Sequence, residues 1–470
     1  MSDSKKQGDA TVDLFENGIA HWGRRVRVGE LTFLKTIEIC LSNIEQNSEL
    51  NAFECLNTAA ALEEGVLMDQ QLANGIDLGP LMGAPVGIKD IMYVDGMPTK
   101  FGSNADLSDL LQSEGSVVAK LKSAGAIILG KTKTVEFALG ATGINQSRGT
   151  PWNPVDRSTH RMPGGSSSGS AVATSAGLVA FAIGTDTGGS IRNPACMTGI
   201  VGQKTSVGLW PLDGVFSLSS TLDSVGPLCR TVSDTALVHQ AMTDEPVTVR
   251  DGLQGLRLGI VEDLFFDDLD EKVAKDFERV CLLLESHGAI RVPLRFPELH
   301  ERTVLFSSIV PPELISYLGA ERYLAIRGSV DTVTESRASV GLDVCAHQYL
   351  TAQKRRQLLI SKAYATFSDV DVWLSPTSPT VPLAIAEFSD PEIHAKGLLA
   401  SRNAQPGNLL DMCALSLPMH QNGLPTGLQI SMPLKQDADL LGVSSVIESL
   451  FRAHIAPTSA LNRGNRQKSA

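Results

Sequence analysis

Between Arg161 and Asp186 the chain carries no charged residue. The stretch opens with Pro163-Gly164-Gly165-Ser166-Ser167-Ser168-Gly169-Ser170 and runs through an apolar segment from Ala171 to Ile183. It closes with Gly184-Thr185-Asp186-Thr187-Gly188-Gly189-Ser190-Ile191-Arg192-Asn193-Pro194. A run this long without charge makes a poor solvated surface, so it belongs in the interior. Its apolar part is too short, and its Gly and Ser content too high, for a bilayer span. The pattern predicts a buried helix over 171–180 that turns into a strand over 179–184. Two Gly/Ser loops at the ends of one buried segment bring hydroxyls and unobstructed backbone N–H groups to one place.

The rest of the chain supplies an α/β frame. Residues 86–90 read as a short buried strand that delivers Lys89 near its end. A helix over 116–124, stopped by Gly125, precedes a strand over 126–129. Residues 28–75 carry apolar positions at helical spacing and predict two or three helices. Residues 145–161 read as loop, and another loop runs from 199 to 227 before a helix over 231–242. A β–α–β unit follows: strand 256–261, amphipathic helix 270–287 and strand 289–292. Residues 300–365 read as helical apart from the turn-rich segment 328–341. Strands at 370–374, 415–418 and 427–432 and a helix over 437–451 complete the pattern. The first twelve residues read as disordered. The organisation expected is an N-terminal tail and helices (1–75), a core (76–240), the β–α–β segment (241–299), a variable helical region (300–405) and C-terminal elements that complete the core (406–470).

Composition narrows the partners. The formal charge is −12, against a nucleic-acid backbone partner. The basic runs at 354–356 and 463–468 are short, and read as a solvated helix face and a tail. The seven cysteines are scattered, with no Cys-x-x-Cys, which fits reduced thiols in a cytoplasmic protein. Residues 1–12 are polar and show no signal-peptide pattern. The nine histidines form no H-E-x-x-H, so neither a metal nor a cofactor is expected.

Candidates for chemistry follow from residue type. Gly165-Ser166-Ser167-Ser168-Gly169 matches G-x-S-x-G with Ser167 at its centre, but that motif needs a preceding strand, and 151–163 is loop-like. A Ser-x-x-Lys pair occurs only at Ser2 and Lys5, in the polar tail. His160 is the only histidine near the serine loops and reads as a surface loop residue. Serine with lysine remains. A lysine acts as base when burial holds it neutral, and Lys89 lies in an apolar strand; the alternative is a solvated lysine at a strand end. Asp186-Thr187-Gly188-Gly189-Ser190 has the backbone for an oxyanion hole, or is an ordinary Gly-rich turn.

Taken together, Gly83-Ala84-Pro85-Val86-Gly87-Ile88-Lys89-Asp90, Pro163 to Ala171 and Gly184 to Arg192 resemble the amidase signature family. The resemblance runs from about residue 28 to 240 and again from 405 to 450. It implies a single large α/β/α domain, a twisted mixed sheet covered by helices. By motif position it implies Ser190 as nucleophile, Ser166 as a bridging serine at a cis peptide bond and Lys89 as base. The N–H groups of Thr187, Gly188, Gly189 and Ser190 would form the oxyanion hole, and Ser167 would support it. Arg192 would pair with a substrate carboxylate or with Asp186; a buried arginine needs a partner without ligand, so the internal pair is expected. Thr142, Gly143 and Asn145 would line the pocket wall.

The implied activity is that of a serine amidohydrolase on the C–N bond of a small amide, aryl or alkyl, extending to carbamates (urethanes) and esters. The expected partner is a small-molecule amide, with no nucleic acid or membrane, and the expected state is a monomer or homodimer. The alternative is a subunit of a tRNA-dependent amidotransferase, against which the −12 charge and the poor match after residue 300 both count. Leu305, Phe306, Ile309, Leu314, Tyr317 and Leu318 suggest an apolar or aromatic substrate, or simply core packing.

Overall fold

The computed structural model describes residues 12–454. The polar N-terminal segment, its Ser2 and Lys5, and the basic tail at 463–468 lie outside the described residues.

Eleven strands form one mixed sheet. In chain order they are β1 (Phe53–Leu56), β2 (Pro85–Lys89), β3 (Ile127–Thr132), β4 (Phe181–Asp186), β5 (Val201–Lys204), β6 (Ser224–Cys229), β7 (Arg257–Val261), β8 (Ile290–Leu294), β9 (Val372–Pro376), β10 (Met412–Pro418) and β11 (Gly427–Pro433). Their spatial order is β1-β3-β2-β4-β6-β5-β10-β11-β9-β7-β8. β3, β2 and β4 run parallel, as do β9, β7 and β8, and the strands between them are antiparallel. Strands β2 to β6 are buried along their whole length, which is why they read as unbroken apolar runs or not as strands at all. The partly exposed strands β1 and β8 take the two edges.

Helices close both faces of this sheet and pack on two large apolar clusters. Two are capped by threonine: Thr32 Oγ1 accepts from Lys35 N–H ahead of Phe33–Gln46, and Thr231 Oγ1 accepts from Asp234 N–H ahead of Val232–Thr243. No single helix among the described residues is long and apolar enough to cross a membrane.

The structure corrects the element reading in several places. The buried helix spans Ser168–Ser175, starting earlier than expected. β5 and part of β6 occupy a stretch that reads as loop. Their Gly, Gln, Lys and Pro composition argues against strand, but both lie mid-sheet, where ladder pairing and burial override propensity. Residues 28–75 contain two α-helices and also β1. The turn-rich segment 328–341 contains a helix, Thr332–Ala338, whose start Asp331 caps.

Candidate active site

The parallel pairing of β2 with β4 sets the site. Val86 lies beside Phe181, Gly87 beside Ala182 and Ile88 beside Ile183, so the two strands end side by side. Lys89 closes β2 and Thr185-Asp186 closes β4. Lys89 is fully buried, and its Nζ donates to Thr185 Oγ1 and to Ser166 Oγ, both at 2.8 Å. Burial pulls its pKa down to about 7; the carboxylates of Asp223 and Asp186 oppose that shift without cancelling it.

Ser166 is held in place by neighbours on both sides of the chain. The Gly165–Ser166 peptide is cis. Gly164 N–H donates to Thr142 O and Gly165 N–H to Ala141 O, while Ser166 O accepts from Thr134 Oγ1 at 3.0 Å. Ser167 begins the helix Ser168–Ser175; its hydroxyl donates to Thr185 O and its N–H to Ser190 O, so the two Gly/Ser loops are joined directly. The helix can sit this close to β4 because residue 184 is glycine: a Cβ there would lie 2.6 Å from Ser167 Oγ. Ser190 faces the cleft and its hydroxyl has no hydrogen-bond partner among the described residues, whereas the Ser166 hydroxyl is engaged by Lys89.

Behind the loop that carries Ser190 lies a buried ion pair. Arg192 donates through Nε and Nη2 to the two oxygens of Asp186 at 3.0 and 2.9 Å. Its remaining N–H groups reach Gln429 Oε1 and Asn408 Oδ1, and Asn408 Nδ2 donates back to Asp186. Both charges are fully buried, and the arginine holds the Asp186 carboxyl well below the usual carboxylate range despite that burial. Arg192 thus has no free face for a ligand.

Asp186 also changes the expected oxyanion hole. Its Oδ1 accepts the Gly189 N–H at 2.7 Å, so that amide is already used inside the protein. The N–H groups of Thr187, Gly188 and Ser190 make no hydrogen bond among the described residues. Gly189 is there for its backbone: its φ is +107°, and a Cβ would meet Ala404 Cβ at 2.5 Å.

A cleft of about 280 Å³ opens over this loop, with Gly165, Thr187, Gly188 and Ser190 along its base. Its wall is 138–141, not the next few residues. Thr142, Gly143 and Asn145, expected along the pocket wall, follow this segment and are not among the residues that line the cleft. Asn145 is buried, its amide donating to Gly102 O and Thr134 O and its Oδ1 accepting from Arg148 N–H. Gly143, at φ +84°, lets the chain pass against Gly164 O. Of the six apolar residues from 305 to 318, Phe306 alone lines the cleft. Leu305, Ile309, Leu314 and Leu318 pack into the core, and Tyr317 packs edge-on against Phe216. His160 stacks on Trp152, with ring centroids 4.4 Å apart.

Other residues of the site gave no local signal. Asp223 accepts from Thr187 Oγ1, Ser217 Oγ and Ser219 N–H, and burial pushes its carboxyl up to about 6. Arg302, Arg337 and Gln405 line the cleft, the first two from the helical region and Gln405 from the start of the short helix Gln405–Leu409.

Relatives of known type share this whole frame. The family described as Amidase matches residues 35–441. A 2-amino-5-chloromuconic acid deaminase of Comamonas testosteroni is 38% identical over 92% of this chain and 96% of its own length. A glutamyl-tRNA(Gln) amidotransferase subunit from Acidothermus cellulolyticus is 35% identical over 86% of this chain and 88% of its own. A crystal structure of an amidase superposes with a TM-score of 0.85 at 30% identity, covering 92% of this chain and 99% of that one. With the family matched across most of its length and the same fold in an amidase crystal structure, this chain belongs to the amidase signature family of hydrolases acting on carbon–nitrogen bonds.

Proposed function

We propose that the protein hydrolyses a small amide through an acyl-enzyme on Ser190, with Ser166 and Lys89 as its proton relay. The observation that carries this reading is Lys89: a fully buried amine, with its pKa near neutrality, 2.8 Å from a serine hydroxyl beside the cleft. In the neutral form its lone pair accepts the Ser166 proton, and Ser166 Oγ takes the proton from Ser190. Ser190 Oγ then attacks the carbonyl carbon, and the C=O electron pair moves onto oxygen, where the N–H groups of Thr187, Gly188 and Ser190 receive it. The protons return along the relay to the leaving nitrogen as the C–N bond breaks. Water, deprotonated by the same relay, releases the acid.

Asp186 acts by position, fixing Gly189 and, through Arg192, the turn that carries Ser190. Ser167 joins the two loops. Aryl and alkyl amides both fit this chemistry, and the reading extends to carbamates, whose carbonyl is attacked in the same way. A monomer or homodimer in the cytoplasm is the setting we infer, which the seven free thiols support.

A serine-directed fluorophosphonate tests the assignment. It should label Ser190, and Lys89→Ala should suppress labelling. Label on Ser167 instead would restore the strand–turn–helix nucleophile reading.

A second reading is favoured by the similarity to amidotransferase subunits: the chain works as the amide-cleaving subunit of a tRNA-dependent complex. Purified chain that releases ammonia from simple amides without partners excludes it. Activity that appears only with a co-purifying subunit would establish it.

A further inference from the structure

The cleft beside Ser190 contains two charged side chains, both arginines, Arg302 and Arg337, and no aspartate or glutamate lines it. Arg192, by contrast, pairs with Asp186 and Arg257 with Asp371. These two have no carboxylate within ion-pair distance among the described residues. Arg302 donates from Nη1 to Gln405 Oε1 at 2.6 Å, while its buried Nε has no partner. Arg337 donates from Nη1 to Leu139 O at 3.3 Å. Most of the ten N–H bonds of the two guanidinium groups are therefore unused inside the protein.

Their positions tie them to the reacting loop. Gln405, which anchors Arg302, packs over Gly188: a Cβ on Gly188 would lie 3.5 Å from Gln405 Cγ. Arg337 lies over the wall segment 138–141, where a Cβ on Gly140 would stand 3.6 Å from its Nη1. Burial lowers the pKa of both, Arg302 to about 10 with Arg402 adding repulsion, and Arg337 with Asp331 partly opposing. A half-buried guanidinium without a counter-charge is costly, and the cost is offset when a ligand brings a carboxylate that accepts its paired N–H bonds. Phe306, Leu218 and Val340 add apolar lining to the same cleft of about 280 Å³.

We propose that the substrate of this cleft is an amide bearing at least one carboxylate, a half-amide of a dicarboxylic acid, bound by Arg302 and Arg337. This rests on the acyl-enzyme reading of Ser190. It also departs from the apolar or aromatic substrate that the sequence of the helical region suggests.

The test compares succinamic and glutaramic acids with butyramide and valeramide, by ammonia release, in the wild type and in Arg302→Gln, Arg337→Gln and the two Arg→Lys variants. The wild type should favour the acids in kcat/KM. Each glutamine variant should reduce the acid-to-neutral ratio by about 10- to 100-fold, chiefly through KM, with partial recovery by lysine. Calorimetric binding of glutarate reads the same site without turnover and should weaken by a similar factor. A wild type that prefers the neutral amides, or variants in which neither the ratio nor glutarate binding moves, overturns the proposal. Fluorophosphonate labelling separates the two failures. Label on Ser190 with no acid preference sinks only the carboxylate site. Unlabelled Ser190 sinks the acyl-enzyme, while glutarate binding still decides the arginines.

Discussion

The pH dependence of Lys89 can be worked from the structure. The amine is fully buried, donates to two hydroxyls and sits near two carboxylates that do not touch it. Moving its pKa from 10.5 to about 7 corresponds to about 5 kcal/mol against the charged form. A base with that pKa is neutral in roughly one molecule in ten at about pH 6 and in nine of ten at about pH 8. An unshifted lysine would be neutral in only about three molecules in ten thousand at pH 7. Measured on a neutral amide from about pH 5 to 10, kcat/KM should therefore rise about tenfold per pH unit below 7 and level off above about 8. The rate of Ser190 phosphonylation should follow the same curve, because it reads the free enzyme. A limb that keeps climbing to about pH 10, or a flat profile, would refute the buried-base argument.

The same shift appears in stability, with a fixed sign. The folded pKa lies below the unfolded one, so between about 7 and 10.5 the unfolded chain binds more protons at this position. Stability gained from Lys89 therefore rises with pH through that window, and below it the burial cost is present in full. Relative to Lys89→Met, the wild type should gain about 2 kcal/mol between about pH 7 and 9, read from urea midpoints at several pH values. A constant difference across that range would show that the lysine stays charged when folded.

Further substitutions test the surroundings. Asp223→Asn removes a charge that favours protonated Lys89, so the ascending limb of kcat/KM should move to lower pH; a shift to higher pH contradicts the assignment. Asp186→Asn leaves Arg192 buried without its counter-charge and should lower stability by about 3–5 kcal/mol in urea unfolding. In Gly188→Ala the new Cβ would stand 2.7 Å from the Phe306 ring. We expect kcat/KM to fall by about a hundredfold with little loss of stability, and Phe306→Ala in the same chain to restore part of it. Equal losses in the single and double variants would place the damage in the backbone instead.

What could be read from the sequence follows from how far each feature depends on distant contacts. Lys89, Ser166 and Ser190 lie in segments whose own composition demands burial and tight turns, so their neighbourhood could be argued before any coordinates. The fate of the Gly189 amide was also within reach: an aspartate three residues before an N–H donor is the arrangement of a helix cap, and Asp186 uses it. β5 and β6 were not readable, because a buried Lys204 whose Nζ donates to Met412 O and Thr205 O is acceptable only in the middle of this sheet. The cleft shows the same limit most sharply. The apolar residues from 305 to 318 repeat as any buried helix face does, and most of them turn inward. Arg302 and Arg337 look like ordinary surface arginines in the chain. What sets them apart is that both line the cleft with no carboxylate beside them, and that placement is a property of the packed site that no local pattern carries.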